Sequence, residues 1–154
     1  MGELKKGDKA KNFAVSDQNK KEFKLSSFKG KRVLLSFHPL AWTSVCAEQM
    51  KSLEANRKMF DSLNTVAVGV SVDTVPSKKA WAESLGIKHI RLLSDFWPHG
   101  KVAKAYGLFL KEDGISKRAN VIIDENQRIV LIKIYRLGVL PDIKEIINFL
   151  TKMP

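Results

Sequence analysis

The chain of 154 residues holds a single cysteine, Cys46, in the stretch His38-Pro39-Leu40-Ala41-Trp42-Thr43-Ser44-Val45-Cys46-Ala47-Glu48-Gln49-Met50. A thiolate is a strong nucleophile, and its placement here is suggestive. An apolar run ends at Pro39 and a helical pattern begins at Thr43. With Thr43 as the N-cap, Cys46 is the third helical residue, one turn from the threonine hydroxyl. The unpaired N–H groups and positive dipole end of a first helical turn favour an anion, so this position suits a nucleophilic sulfur with a hydroxyl donor beside it. Position alone also admits a blander role, because cysteine is among the most buried residue types and often fills apolar space.

The elements that must hold these residues follow from periodicity. RVLLSFH (32–38) is an apolar, strand-forming run, and Pro39 stops it because proline cannot donate to a ladder. From Thr43 the period becomes helical: with Cys46 at zero, Met50, Leu53 and Phe60 fall at roughly 40°, −20° and −40°, which predicts Cys46 on the inward face. This helix is expected to run to about Leu63. TVAVGVSVD (65–73) reads as a second buried strand, followed by a helix from Pro76 to Gly86. RLLSD (91–95) and a short helix after Pro98-His99-Gly100 come next. Residues 119–136 read as two strands around a Glu125-Asn126 turn, and the last helix is expected to carry Pro141 in its first turn. At the start, residues 12–25 form a hairpin around Asp17-Gln18-Asn19-Lys20. Strands alternating with helices, with one late antiparallel pair, indicate a three-layer α/β domain over 1–154 with a central mixed sheet and an N-terminal β-hairpin.

Composition limits the function classes. With 44% hydrophobic residues, nine Gly and five Pro, the chain is expected to be an ordinary globular protein rather than a disordered or fibrous one. One cysteine excludes an internal disulfide and points to a reducing compartment, with the cytoplasm as the default. No segment approaches the roughly 18 apolar residues of a membrane span. The net charge of +11, with ten Lys or Arg against four Asp or Glu in residues 1–32, raises a nucleic-acid reading. Against it, the basic residues are scattered, mostly Lys, and lack interleaved aromatics. His38, His89 and His99 show no ligand spacing, so no metal site is expected. Trp42, Trp81 and Trp97 read as packing residues, with Trp42 also a candidate pocket wall.

Pro39, Thr43 and Cys46 together form P-x-x-x-T-x-x-C, which resembles the active-site signature of the peroxiredoxins. GVSVD, LLSDFWPHGKVAKAYG and the arginine opening KRANVIID extend the resemblance over nearly the whole chain, and LLSDFWPHG is similar to the one-cysteine, alkyl hydroperoxidase E-like branch. The resemblance implies a thioredoxin-like sheet with an N-terminal extension. It makes Cys46 the peroxidatic cysteine, Thr43 the hydroxyl that hydrogen-bonds the peroxide, Pro39 the shield against water and Arg118 the catalytic arginine. Gln49 takes the place of a helical Glu or Gln that supports Arg118 or the threonine. His38 replaces a frequent aromatic, and Ser44 a frequent second proline.

So placed, the Cys46 thiolate would attack a peroxide oxygen and become a sulfenic acid. With no second cysteine to resolve it, an external thiol must reduce it: thioredoxin, glutaredoxin or a low-molecular-weight thiol. The resemblance further implies a homodimer using neither metal, haem nor flavin. A redox sensor or chaperone, or a basic binding module on the same scaffold, remains the alternative.

Overall fold

The computed structural model describes residues 4–154. Its centre is a five-stranded sheet. Strands β3 (Arg32–Phe37), β4 (Thr65–Ser71) and β5 (Arg91–Ser94) are mutually parallel, β8 (Arg118–Ile123) lies antiparallel beside β3, and β9 (Ile129–Tyr135) lies antiparallel beside β8, in the order β5-β4-β3-β8-β9. The sheet is therefore mixed, as the alternation of elements requires. Strand β3 is buried along its whole length, and its side chains alternate between two cores. Val33, Leu35 and Phe37 join Phe13, Phe23, Val102 and Tyr106 on one side. Leu34 joins Cys46, Met50, Trp81, Ile146 and Leu150 on the other. The period of two thus hands residues 34, 36 and 38 to the helical layer that carries the cysteine.

That layer contains α1 (Ser44–Ala55), α2 (Arg57–Ser62), α3 (Val75–Leu85) and α5 (Ile143–Lys152), while the short α4 (Lys101–Ala105) packs on the opposite core. The N-terminal hairpin pairs β1 (Ala14–Ser16) with β2 (Glu22–Lys24). Asp17 Oδ1 accepts from Asn19 N and Lys21 N to shape the turn between them. Among the described residues no helix is long and apolar enough to cross a membrane.

Two expectations need correction. The helix from Thr43 does not run unbroken to Leu63: it is interrupted at Asn56, whose side-chain amide donates to the Ser52 carbonyl at 2.8 Å. That carbonyl also accepts from Asn56 N at 3.2 Å, and Asn56 itself leaves helical geometry at φ −103°, ψ 13°. Pro141 is not in the last helix; Asp142 caps it instead, accepting from Lys144 N at 3.0 Å. A small hairpin of β6 (Phe109–Leu110) and β7 (Ile115–Ser116), on which the sequence reading is silent, occupies the segment before β8.

Helix α1 is anchored at its far end by Glu54, whose carboxylate accepts from the backbone N–H groups of His89 and Ile90, both at 3.0 Å, and from His89 Nδ1 at 2.7 Å. Burial pushes this carboxyl up, but the bonds from His89 and Ile90 outweigh it and hold Glu54 at about 2. A folded value below the ordinary 4.5 means the stabilisation is complete above that pH and is lost as pH falls towards 2. Glu54→Gln is expected to lower the urea midpoint above pH 4.5. The two proteins converge on acidification, and a gap that persists at the acid end would contradict the role of the charge.

Candidate active site

Strand β3 closes with a ladder bond from His38 N to Val70 O at 3.0 Å. The next residue, Pro39, has no N–H, so the chain leaves the sheet there. Pro39 is buried, whereas Leu40, Trp42 and Thr43 reach the surface. Asp73, just beyond β4, catches the departing loop by accepting from Ala41 N at 2.8 Å. Trp42 adopts φ 68°, a left-handed conformation rare for a bulky residue, and its indole N–H donates to Ser77 Oγ at 3.0 Å. Thr43 is the N-cap of α1 by geometry, and Ala47 N returns to its carbonyl at 2.9 Å.

The Thr43 hydroxyl differs from the sequence expectation. It caps no helical N–H, and its one hydrogen is donated to Leu40 O at 2.8 Å. With that hydrogen committed, the oxygen has lone pairs to offer rather than the expected donor. The N–H groups of Ser44, Val45 and Cys46 precede the first intrahelical bond and remain the donors at this end.

Cys46 has no exposed surface. Its sulfur meets Arg118, the first residue of β8, whose Nη1 stands 3.4 Å from Sγ. The guanidinium is rigidly held, with Nη1 also donating to Gln49 Oε1 at 2.7 Å and Nε and Nη2 both donating to Leu137 O, at 3.0 and 2.6 Å. Gln49 in turn donates through Nε2 to Ser36 Oγ at 2.7 Å and Phe37 O at 3.2 Å. Helix α1 therefore presents Cys46 and Gln49 three residues apart on one face, and Gln49 ties Arg118 to β3. The planar fork with fixed donors is a role lysine could not fill.

Sequence reasoning named Cys46, Arg118, Gln49, Thr43 and Pro39. It overlooked Ser36, the Leu137 carbonyl and Lys78. Lys78 had a legible signal, since it lies three and four residues before Trp81 and Ala82 on the apolar face of α3. Of the tryptophans, Trp81 packs in the core, but Trp42 and Trp97 are 57% and 81% exposed, so packing accounts for only one of the three.

Close packing beneath the site depends on Gly69 of β4. A Cβ there would overlap Met50 Sδ and stand 3.1 Å from Leu92 Cδ2 and 3.2 Å from His38 Cε1. Gly69→Ala is expected to cost about 1–3 kcal/mol through overpacking, read as a lower urea midpoint with an unchanged slope. A variant as stable as the parent would show that Met50 and His38 can move aside.

A fold built around one sulfur, pinned to a guanidinium from the neighbouring strand, defines the molecule as a thiol-centred α/β protein. The comparisons with known proteins narrow this further. The sequence model of the AhpC/TSA family matches residues 6–132. Alkyl hydroperoxide reductase E of Mycobacterium tuberculosis is 38% identical over 124 residues, covering 80% of each chain. Thiol peroxidase of Streptococcus agalactiae is 31% identical over 127 residues, 82% of this chain and 76% of that one. The reduced 2-Cys peroxiredoxin of Plasmodium vivax superposes with a TM-score of 0.86 at 29% identity, over 94% of this chain and 79% of the other. The chain belongs to the AhpC/TSA family, the peroxiredoxins.

Proposed function

We propose that this chain is a thiol-dependent peroxidase that reduces hydrogen peroxide and organic hydroperoxides through Cys46 alone. The observation that carries the reading is the 3.4 Å approach of Arg118 Nη1 to Cys46 Sγ, in a chain with no other thiol. An N–H donor from a fixed cation favours negative charge on the sulfur. Four guanidinium hydrogens are engaged with Sγ, Gln49 Oε1 and Leu137 O, which leaves one on Nη2 for an incoming oxygen.

In the reaction the sulfur attacks one peroxide oxygen, an S–O bond forms and the O–O bond breaks. The departing oxygen leaves as hydroxide or alkoxide and takes up a proton to become water or an alcohol. Arg118 and the α1 N-terminus stabilise charge on that oxygen, as preorganised donors do. Thr43 accepts from the peroxide O–H and so orients it, while Pro39 helps keep water out. One external thiol condenses with the sulfenic acid, releasing water and forming a mixed disulfide; a second releases Cys46 as thiol.

A reducing compartment such as the cytoplasm suits a chain with a single free thiol. A homodimer is supported by the apolar side chains Ile134, Leu137, Val139 and Leu140, exposed along and just beyond the open edge strand β9. Leu137 is also the carbonyl that holds Arg118, so subunit contact there would steady the site. Sedimentation of the purified protein at the mass of one chain would remove this part of the proposal.

The deciding experiment supplies peroxide together with thioredoxin, glutaredoxin or a small thiol and follows peroxide consumption. Many turnovers per Cys46 are expected with at least one reductant. Oxidation that stops after one equivalent would instead make Cys46 a sensor.

A further inference from the structure

Lys78 is wholly buried on α3, a rare state for an ammonium, and the chemistry above does not use it. Its Nζ lies 3.2 Å from His38 Nε2 and enters no salt bridge among the described residues. His38 Nδ1 faces the Ser36 carbonyl at 3.4 Å, so the ring hydrogen belongs on Nδ1 and Nε2 accepts from Lys78. The Trp81 ring roofs both groups, 5.4 Å from the imidazole centre and 6.0 Å from Nζ. His38 follows directly on the Ser36–Phe37 segment that anchors Gln49 and, through it, Arg118.

A buried cation needs a negative counterpart. The groups whose negative charge would favour the Lys78 ammonium are Asp73 beyond β4, Asp95 beyond β5 and, once ionised, Cys46 of α1, which shares one core cluster with Trp81; His38 lies beside Nζ at the end of β3, and the Arg118 charge of β8 acts on His38. Asp73 is already engaged by Ala41 N–H and the Ser71 hydroxyl, and Asp95 by the N–H groups of Val102 and Ala103. Cys46 is the member whose charge the reaction changes.

We propose that Lys78 is a positioning residue for the Cys46 reaction: a buried ammonium, held by His38, that keeps its proton while the sulfur is a thiolate and releases it once oxidation neutralises the sulfur. The balance closes, since the leaving hydroxide or alkoxide takes up one proton and Lys78 gives one up. Burial brings Lys78 down to about 7, against the raising charges of Asp73, Cys46 and Asp95, so the proton is poised to leave near neutrality. Burial, and next the Lys78 charge, hold His38 well below its usual value and keep it neutral.

The oxidation step rests on the peroxidase reading, but the charge coupling is tested without peroxide. Carbon-13 labelled lysines in the intact reduced protein are titrated by NMR and compared with Cys46→Ser. Coupling is reciprocal, so the Lys78 midpoint is expected to fall by about one pH unit, a tenfold loss of proton affinity, when the sulfur is removed. An unchanged midpoint overturns the proposal. A second arm uses Lys78→Met, an apolar replacement of similar length that spares the fold a buried charge. The pH midpoint of Cys46 ionisation, read by ultraviolet absorbance, is expected to rise in Lys78→Met by the same amount as the Lys78 midpoint falls in Cys46→Ser, and to be restored by Lys78→Arg. An unaltered Cys46 midpoint in Lys78→Met also overturns it. Loss of this coupling with peroxide turnover intact removes only the role of Lys78; coupling without turnover removes the peroxidase reading instead.

Discussion

Cys46→Ser is expected to abolish peroxide consumption, with a fall of roughly 10⁴-fold or more at every reductant concentration. The reason is arithmetic as well as chemical: the chain has no other sulfur nucleophile except its four methionine thioethers, which cannot be turned over by a thiol in this way. A serine hydroxyl fits the space left by the thiol but does not accept an oxygen atom, so the fold is expected to survive. Near-ultraviolet circular dichroism and the urea midpoint check that survival. Residual catalytic turnover in a folded Cys46→Ser protein would remove the sulfur from the reaction.

Arg118→Ala is expected to slow oxidation of Cys46 by about 10²- to 10³-fold in stopped-flow measurements, the usual loss when a preorganised donor to a developing oxyanion is removed. Its cost to stability is separate. The guanidinium is buried and satisfies Gln49 Oε1 and Leu137 O, so truncation leaves two acceptors without their donor and is expected to lower stability by about 1–3 kcal/mol. Arg118→Lys keeps the charge but cannot engage Leu137, Gln49 and Sγ at once. It should therefore recover less than half of the lost rate on a logarithmic scale. An unchanged oxidation rate in a folded Arg118→Ala would show that the 3.4 Å contact with Cys46 is structural only.

Much of the scaffold was readable beforehand because it rests on local rules. The apolar run at 32–38 had to be a buried strand, and proline at 39 had to end it. The helical period from Thr43 placed Cys46 inward, where it is found. What went unread followed from side chains competing for the backbone. Asn56 leaves helical geometry with its amide on the Ser52 carbonyl, and the Thr43 hydroxyl turns back to Leu40 instead of capping. Sequence spacing shows which groups can compete; it does not show which partner wins.

By itself, the sequence determined that there is one thiol, that it opens a helix on that helix's apolar face, and that any oxidised form must be reduced from outside. Only the tertiary structure decided that Arg118, 72 residues away, meets the sulfur and that Gln49 and Leu137 hold it there. It likewise buried Lys78 against His38, 40 residues distant. The physical reason is that composition and period depend on neighbours along the chain, whereas a guanidinium beside a sulfur depends on strand order: β8 must insert antiparallel next to β3 before its first residue can reach the helix on that face.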